Sequence, residues 1–405
     1  MSDWMLYHVW GIRGYRTTHC DKFGEQAAVV TLKPLASLFR CPQCGSKDVT
    51  RKGAKQRLFL ATPVGRRRMY FETTIPRVYC ARCGITRQVR VPFAEGKCRH
   101  TRQFERYALE LARITTTQHA AEHLGVSWGT VRDIEARYLG RKYGKPRMNH
   151  LRSIAIDEIY LGKRMLFVTL VLDLESGAIV YVGQGRSAES LDPFWKRLRA
   201  SGARIEAVAA DMSNAYALAV RENLPDAVLV NDRFHVVKKY NEMLTELRRE
   251  LHREATTKLE KNVLKGTRWL LLKRADKLED HRREPQRLLR ALKLNESLAT
   301  AYYLKDDLNQ FWEQPNQSAA TRFLEAWIAD AEHSGIRLLV KFAMSLAKHR
   351  RSLLAWYEHP ISTGPLEGTN NKIKTLTRQA YGYRDFEFFR LKLFALHMSR
   401  YALLG

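Results

Sequence analysis

Two aspartates in strand-like sequence and two cysteine pairs are the residues best suited to chemistry in this chain. Ser153-Ile154-Ala155-Ile156-Asp157-Glu158-Ile159 sets an acid inside an otherwise apolar run. A lone carboxylate there is costly to ionise unless it faces a cation. Ile205-Glu206-Ala207-Val208-Ala209-Ala210-Asp211 repeats the arrangement, with the acid at the C-terminal end of a second strand. Strand ends of an α/β sheet are where ligands collect. A third carboxylate, Glu367, follows in Gly364-Pro365-Leu366-Glu367-Gly368-Thr369-Asn370-Asn371-Lys372-Ile373-Lys374, a segment that starts a helix. Two divalent ions about 4 Å apart can clamp the attacking and leaving oxygens of an in-line phosphoryl displacement. Hard carboxylate oxygens suit magnesium or manganese. Taken singly, each Asp is as readily a strand-end cap or an ion-pair partner; the order strand, strand, helix favours the metal.

The cysteines point to a second metal. Cys41-Pro-Gln-Cys44-Gly and Cys80-Ala-Arg-Cys83-Gly are two knuckles separated by strand-like sequence, as in a zinc ribbon. Four thiolates suit one tetrahedral zinc, and four protein ligands leave no open position, so the ion is structural. Cys20 and Cys98 are unpaired and read as structural. Arg66-Arg67-Arg68 lies between the knuckles and is either a phosphate contact or a solvated hairpin tip.

These residues need a scaffold. Residues 1–100 read as short β segments, with Val29–Leu32 and Arg68–Phe71 as strand candidates. Residues 101–150 read as a helix-turn-helix: an amphipathic stripe of Phe104, Tyr107, Ala108, Leu111 and Ala112, a cap at Thr116 or Thr117, a tight turn at Gly125 and a cap at Ser127. The third helix, which would enter a major groove, offers Trp128, Thr130, Arg132 and Arg137. Residues 151–235 alternate strands (Ser153–Ile159, Leu166–Asp173, Ile179–Gly183, Ile205–Ala210, Ala227–Val230) with helices (Leu191–Ala200, Asn214–Glu222). Everything from about Phe234 onward reads as helical. Asp232 and His235, three apart at a helix start, either neighbour the acids or serve as an N-cap and a structural histidine.

The net charge of +27 is uneven. Residues 1–150 carry 28 Lys/Arg against 11 Asp/Glu, a net of +17. Such an excess attracts polyanions, nucleic acid foremost. The apolar run Met165–Leu172 is too short to cross a bilayer, and the first residues lack the apolar core of a signal peptide. A cytoplasmic protein is expected.

The assembled motifs resemble the bacterial insertion-sequence transposases of the ISL-three type. The resemblance runs through both knuckles, the helix-turn-helix, Ile154–Glu158, Ala209–Ser213, Asp232–Lys238, Pro365–Lys374 and Ala380-Tyr381-Gly382-Tyr383-Arg384-Asp385-Phe386. It implies a multidomain α+β protein: a zinc ribbon-like module (1–100), a helix-turn-helix (101–150), and a ribonuclease H-like DDE core (151–240 and 358–405) interrupted by a helical insertion (241–357). It further implies Asp157, Asp211 and Glu367 as catalytic acids, with Asp232 and His235 near them. The expected partner is double-stranded DNA, at terminal inverted repeats and at target sites, bound by a homodimer or higher oligomer at the nucleoid. Lys372, Lys374, Arg378 and Arg384 are further candidate DNA contacts. In the insertion, Trp269 and Trp312 are either core residues or base-stacking platforms. The runs Arg248-Arg249, Lys273-Arg274, Arg282-Arg283 and Lys348–Arg351 either track DNA or are solvated helix faces. A DNA-binding regulator with an inactive core should have lost one acid, and all three are present. A ribonuclease H-like nuclease or resolvase would need neither the DNA reader nor the 155 residues between Asp211 and Glu367.

Overall fold

The structure, a computed structural model, describes residues 3–23, 26–163, 167–273 and 277–398. Two compact units meet in sequence at Lys142 and Tyr143.

The first unit opens with a helix, α1 (Asp3–Trp10), where short β segments were expected. Leu6 and Trp10, four apart and so on one helix face, are buried against a five-stranded sheet. Its strands are β1 (Tyr15–Phe23), β2 (Ala27–Pro34), β3 (Val49–Val64), β4 (Arg67–Cys80) and β5 (Ile85–Gln88), in the order β1-β2-β4-β3 with β5 paired to β4. β3 and β4 form one antiparallel hairpin of 16 and 14 residues, far longer than the strands expected. Gly53, Pro63, Gly65 and Pro76 are breaking signals in the sequence. The hairpin absorbs them at two register shifts and at the two-residue turn Gly65-Arg66. Met69, Phe71, Thr73 and Ile75 alternate inward along β4, the period-2 pattern of a sheet with one packed face.

The helix-turn-helix follows as α2 (Arg102–Ile114), α3 (Thr117–Leu124) and α4 (Trp128–Tyr143). Thr101, Thr116 and Ser127 cap the three helices through their hydroxyls, at 3.2 Å each. Phe104, Ala108, Ala120, Leu124, Val131 and Ile134 make the core, and Leu60 of β3 packs onto it. The Leu60 backbone also donates to Arg99 O and accepts from Thr101 N, both at 2.8 Å. Gly125 turns the chain between α3 and α4 at φ 63°, and a Cβ there would lie 2.0 Å from Arg68 Nη2.

The second unit carries β6 (Ser153–Tyr160), β7 (Phe167–Asp173), β8 (Ile179–Gln184), β9 (Ala207–Ala210) and β10 (Val228–Asn231). These fall within a residue or two of their expected bounds; Leu166, the expected start of β7, lies outside the described residues, as do Met165 and Arg274. The sheet order is β10-β9-β6-β7-β8, with β6, β7 and β8 antiparallel and β9 and β10 parallel to β6. That is the ribonuclease H-like arrangement. α5 (Asp192–Ser201) and α6 (Asn214–Asn223) bury Phe194, Trp195 and Tyr216 against it.

The helical remainder comprises α7 (Arg233–Glu254), α8 (Lys258–Gly266), α9 (Glu284–Leu294), α10 (Glu296–Asn309), α11 (Gln317–His333), α12 (Arg337–Lys348), α13 (Arg350–Leu354), α14 (Gly364–Gln379) and α15 (Phe386–Phe394). Helices α7 to α13 share a core that includes Tyr240, Leu244, Trp327, Phe342 and Leu346. α14 packs on β6 and α15 on β8. Among the described residues no helix is long and apolar enough to cross a membrane.

The Gly125 turn yields a test. Gly125→Ala should destabilise the first unit by about 1–2 kcal/mol in denaturant melts, from left-handed strain and displacement of Arg68. Adding Arg68→Ala should recover only the steric part. No loss in the single variant would disprove the close approach.

Candidate active site and zinc centre

Adjacent parallel strands bring Asp157 and Asp211 together. β6 and β9 pair as Ser153↔Ala207, Ile154↔Val208 and Ala155↔Ala209, so each aspartate sits two residues beyond the last pair, at the same level. Neighbouring strands lie about 4.8 Å apart. Asp157 Oδ1 accepts from the Glu158 backbone N–H at 2.8 Å, and Asp211 Oδ1 accepts from Ser213 N at 2.9 Å. Burial pushes the Asp157 carboxyl above its ordinary value, and Asp211 adds to the effect. The Glu158 N–H, His235 and Asn370 oppose it. Glu158 is likewise pushed up by burial, with both aspartates contributing. This is negative charge concentrated in a poorly solvated place, which a divalent cation would relieve.

α14 approaches from the other side. Asn370 Nδ2 donates to Asp157 Oδ2 at 2.9 Å. The Asn370 residue is buried, and its Oδ1 has no partner in the structure. Glu367 stands one helical turn earlier and is exposed. Among the described residues, Asp157, Asp211 and Glu367 do not form a group with all ligand atoms within 4.8 Å. Glu367, Lys374 and Arg378 recur at 7 and 4 residues and so share a helix face, where all three are exposed. Lys372 is half-buried and Arg384 exposed.

Asp232 and His235 part company. Asp232 follows β10 and is buried, and its Oδ2 accepts from Thr363 Oγ1 at 2.5 Å. It precedes α7 but makes no side-chain cap there. Next to it, Asn231 Nδ2 donates to Asp211 O at 3.1 Å, while its Oδ1 accepts from Ser352 Oγ. Asn231 and Asp232 thus tie both flanks of the segment 352–363 to the strand end beside Asp211. His235 is half-buried and close enough to Asp157 to favour its ionised form. Asn370, Asn231 and Glu158 escaped the sequence reading. Only Asn370 had a usable signal, its position three residues after Glu367 on a helix.

The four cysteine sulfurs converge within 4.8 Å of one another. Cys41 Sγ is 3.9 Å from Cys83 Sγ, and Cys44 Sγ is 3.7 Å from Cys80 Sγ. A zinc–sulfur bond of about 2.3 Å in a tetrahedron requires sulfurs roughly 3.8 Å apart, so this cage fits zinc. The knuckles close through Gly45 N to Cys41 O and Gly84 N to Cys80 O, both 2.9 Å. The Cys44 N–H helps hold the Cys41 thiol down at about 6.

The candidate DNA contacts separate into two kinds. Arg66, Arg67, Arg68 and Trp128 are exposed, and Thr130 is half-buried at the start of α4. Arg132 pairs with Asp133 at 2.7 Å. Arg137 is committed inward, donating to Glu105 Oε1 at 2.5 Å and Cys98 Sγ at 3.2 Å. Burial raises the Glu105 carboxyl, but His100 and Arg137 outweigh it and hold it below its ordinary value. Cys98 therefore belongs to a polar cluster with His100 and Glu105. In the insertion, Arg248 is buried and donates to Leu264 O, Lys273 bridges Glu279 and Glu284, Arg282 pairs with Glu279, and Arg350 pairs with Glu325. Those cations serve the bundle. Trp312 is a core residue, whereas Trp269 is 66% exposed beneath the Arg268 guanidinium.

Comparison with known proteins places the chain among transposases. Residues 154–393 match a transposase family, residues 89–139 the helix-turn-helix domain of transposase family ISL3, and residues 37–83 the zinc-finger of transposase IS204/IS1001/IS1096/IS1165. The transposase for insertion sequence element IS1001 of Bordetella parapertussis is 32% identical over 90% of each chain. The transposase for insertion sequence element IS1557 of Mycobacterium tuberculosis is 30% identical over 90% of this chain and 87% of its own. The Drosophila P element transposase strand transfer complex is similar at TM-score 0.39 and 11% identity, covering 73% of this chain and 91% of its own. The chain belongs to the ISL3 family of insertion-sequence transposases, DDE enzymes that cleave DNA and transfer its strands.

Proposed function

We propose that this chain binds the terminal inverted repeats of an insertion sequence as double-stranded DNA, hydrolyses the element ends and transfers the freed 3′-hydroxyl into target DNA. The observation that carries this reading is the level placement of Asp157 and Asp211 on adjacent strands, with the Glu367 helix bonded to Asp157 through Asn370. Magnesium or manganese ions, when bound, activate the attacking oxygen and neutralise the leaving one. Asp157, Asp211 and Glu367 would hold them. Asn370 fixes the Asp157 carboxylate, and His235 stands beside it. Asp232 acts through structure, as the acceptor for Thr363. Lys374 and Arg378, on the Glu367 face of α14, meet phosphates, with Lys372 and Arg384 nearby. Zinc at Cys41, Cys44, Cys80 and Cys83 staples the N-terminal module.

In this reading the module spans 1–100, the helix-turn-helix 101–150, the catalytic core 151–240 and 358–405, and the insertion 241–357. Cutting two element ends together calls for a homodimer or larger assembly on DNA, acting in the bacterial cytoplasm at the nucleoid.

Asp157→Ala, Asp211→Ala and Glu367→Ala should each abolish cleavage and strand transfer on terminal-repeat DNA with magnesium, while binding persists. Asn370→Ala should lower the rate about 10–100-fold, as loss of a metal ligand's partner does, and raise the magnesium needed for half-maximal rate. Wild-type activity in all three carboxylate variants would remove the catalytic assignment.

Zinc offers a separate check. Metal analysis should find one zinc per chain, and Cys80→Ser should lose it along with native N-terminal structure and DNA affinity. A natively folded, zinc-free chain would sink the ribbon reading.

A further inference from the structure

The cysteine cage and the basic tip occupy opposite ends of the β3–β4 hairpin. Val49↔Cys80 is the first pair and Val64↔Arg67 the last. Fifteen residue steps at about 3.3 Å put roughly 50 Å of strand between them, against a major groove about 12 Å wide. One DNA-facing surface around α4 does not cover both ends.

The tip is the end beside α4. Arg68 lies against Gly125, in the turn that leads into α4, at the approach already described. Arg66, Arg67 and Arg68 are all exposed there, as are Ser127 and Trp128. The connection is stiff. Leu60 packs in the helix-turn-helix core and bonds to Arg99 and Thr101 at its entry. Arg57 donates to the carbonyls of Gly96, Lys97 and Cys98 at 3.3, 2.8 and 2.9 Å. Arg141 holds Glu95 with two bonds of 3.0 Å. The tip is thus presented beside the helix before any ligand arrives, which lowers the ordering cost of binding.

Charge alone does not separate the two ends, since Lys47, Arg51, Lys52, Arg82 and Arg87 are exposed around the cysteine cage. The tip differs in its place beside α4, where three consecutive guanidinium groups attract phosphate. We propose that the β3–β4 hairpin is a wing. Its Arg66-Arg67 tip grips the DNA backbone flanking the groove that receives α4, and the zinc end lies off the DNA as a remote staple. This rests on the DNA-binding reading above and deepens it.

The test uses the full chain, its zinc content and melting curve being checked for each variant. The probes are a 40-base-pair duplex of the element's own terminal repeat and one of random sequence. Arg66→Ala with Arg67→Ala should weaken binding to both about tenfold and reduce the slope of log affinity against log salt by about 2. Hydroxyl-radical protection should disappear on one flank of the α4 footprint. The Lys pair, Arg66→Lys with Arg67→Lys, should keep most of the affinity. Lys47→Ala with Lys52→Ala, at the zinc end, should change affinity less than twofold. An unchanged salt slope and footprint in the Arg66/Arg67 variant, or an equal loss in the Lys47/Lys52 variant, would overturn the wing. Failure of the unaltered chain to bind either duplex would instead remove the DNA-binding reading itself.

Discussion

Two carboxylates set on adjacent strands at the same level of a buried sheet repel each other, and the strand register fixes the backbones that carry them. In this protein that register runs through Ala155↔Ala209, and the neighbouring pair Ile154↔Val208 is apolar and buried. The second unit is organised around this unfavourable juxtaposition. Backbone N–H groups of Glu158 and Ser213 take one oxygen from each acid, and Asn370 takes another from Asp157. These bonds orient the acids without discharging them, and hard carboxylate oxygens so placed suit a hard cation.

The first unit works on a different economy. Its sheet has a modest aromatic core around Phe59, Phe71 and Phe93, and its long hairpin is held at one end by the cysteines and in the middle by the helix-turn-helix. Leu60 packs the hairpin into the helix-turn-helix core, and polar bonds reinforce the junction: Arg57 from the hairpin and Arg141 from α4 both bond to the 95–98 segment between them. Guanidinium groups suit that work because they make several directed bonds at once.

Much of this was legible in the residues. The core strands show as apolar runs ending in an acid, the helix-turn-helix as caps and a left-handed glycine, and the zinc cage as paired knuckles. Misreadings arose where a local signal was overruled by tertiary pairing. Only Val29–Leu32 and Arg68–Phe71 were expected as strands in the first hundred residues, whereas the β3–β4 ladder runs on past Gly53, Pro63 and Pro76 with two register shifts. α1 is short and carries only a two-residue apolar contact, Leu6 and Trp10, too sparse a period to stand out. Arg137 and Arg248 look like DNA contacts by charge alone; only packing shows that each is spent on the protein itself. Asn231 was invisible because an uncharged amide far away in sequence gives no sign of which carboxylate or carbonyl it will meet, and Asn370 showed only its place three residues after Glu367.

The pairs Asn231–Ser352 and Asp232–Thr363 have a consequence for how this protein can change. Closing a long excursion of chain has an entropic cost that grows only logarithmically with its length. Because the strand end beside Asp211 clasps the far side of the helical segment through two buried side chains, the geometry of the acids does not depend on how many helices intervene. The bundle leaves the sheet along α7 and is clasped to it again at these two side chains. Lineages could lengthen, trim or exchange it, and with it whatever DNA shape it meets, while the sheet and its aspartates keep their register.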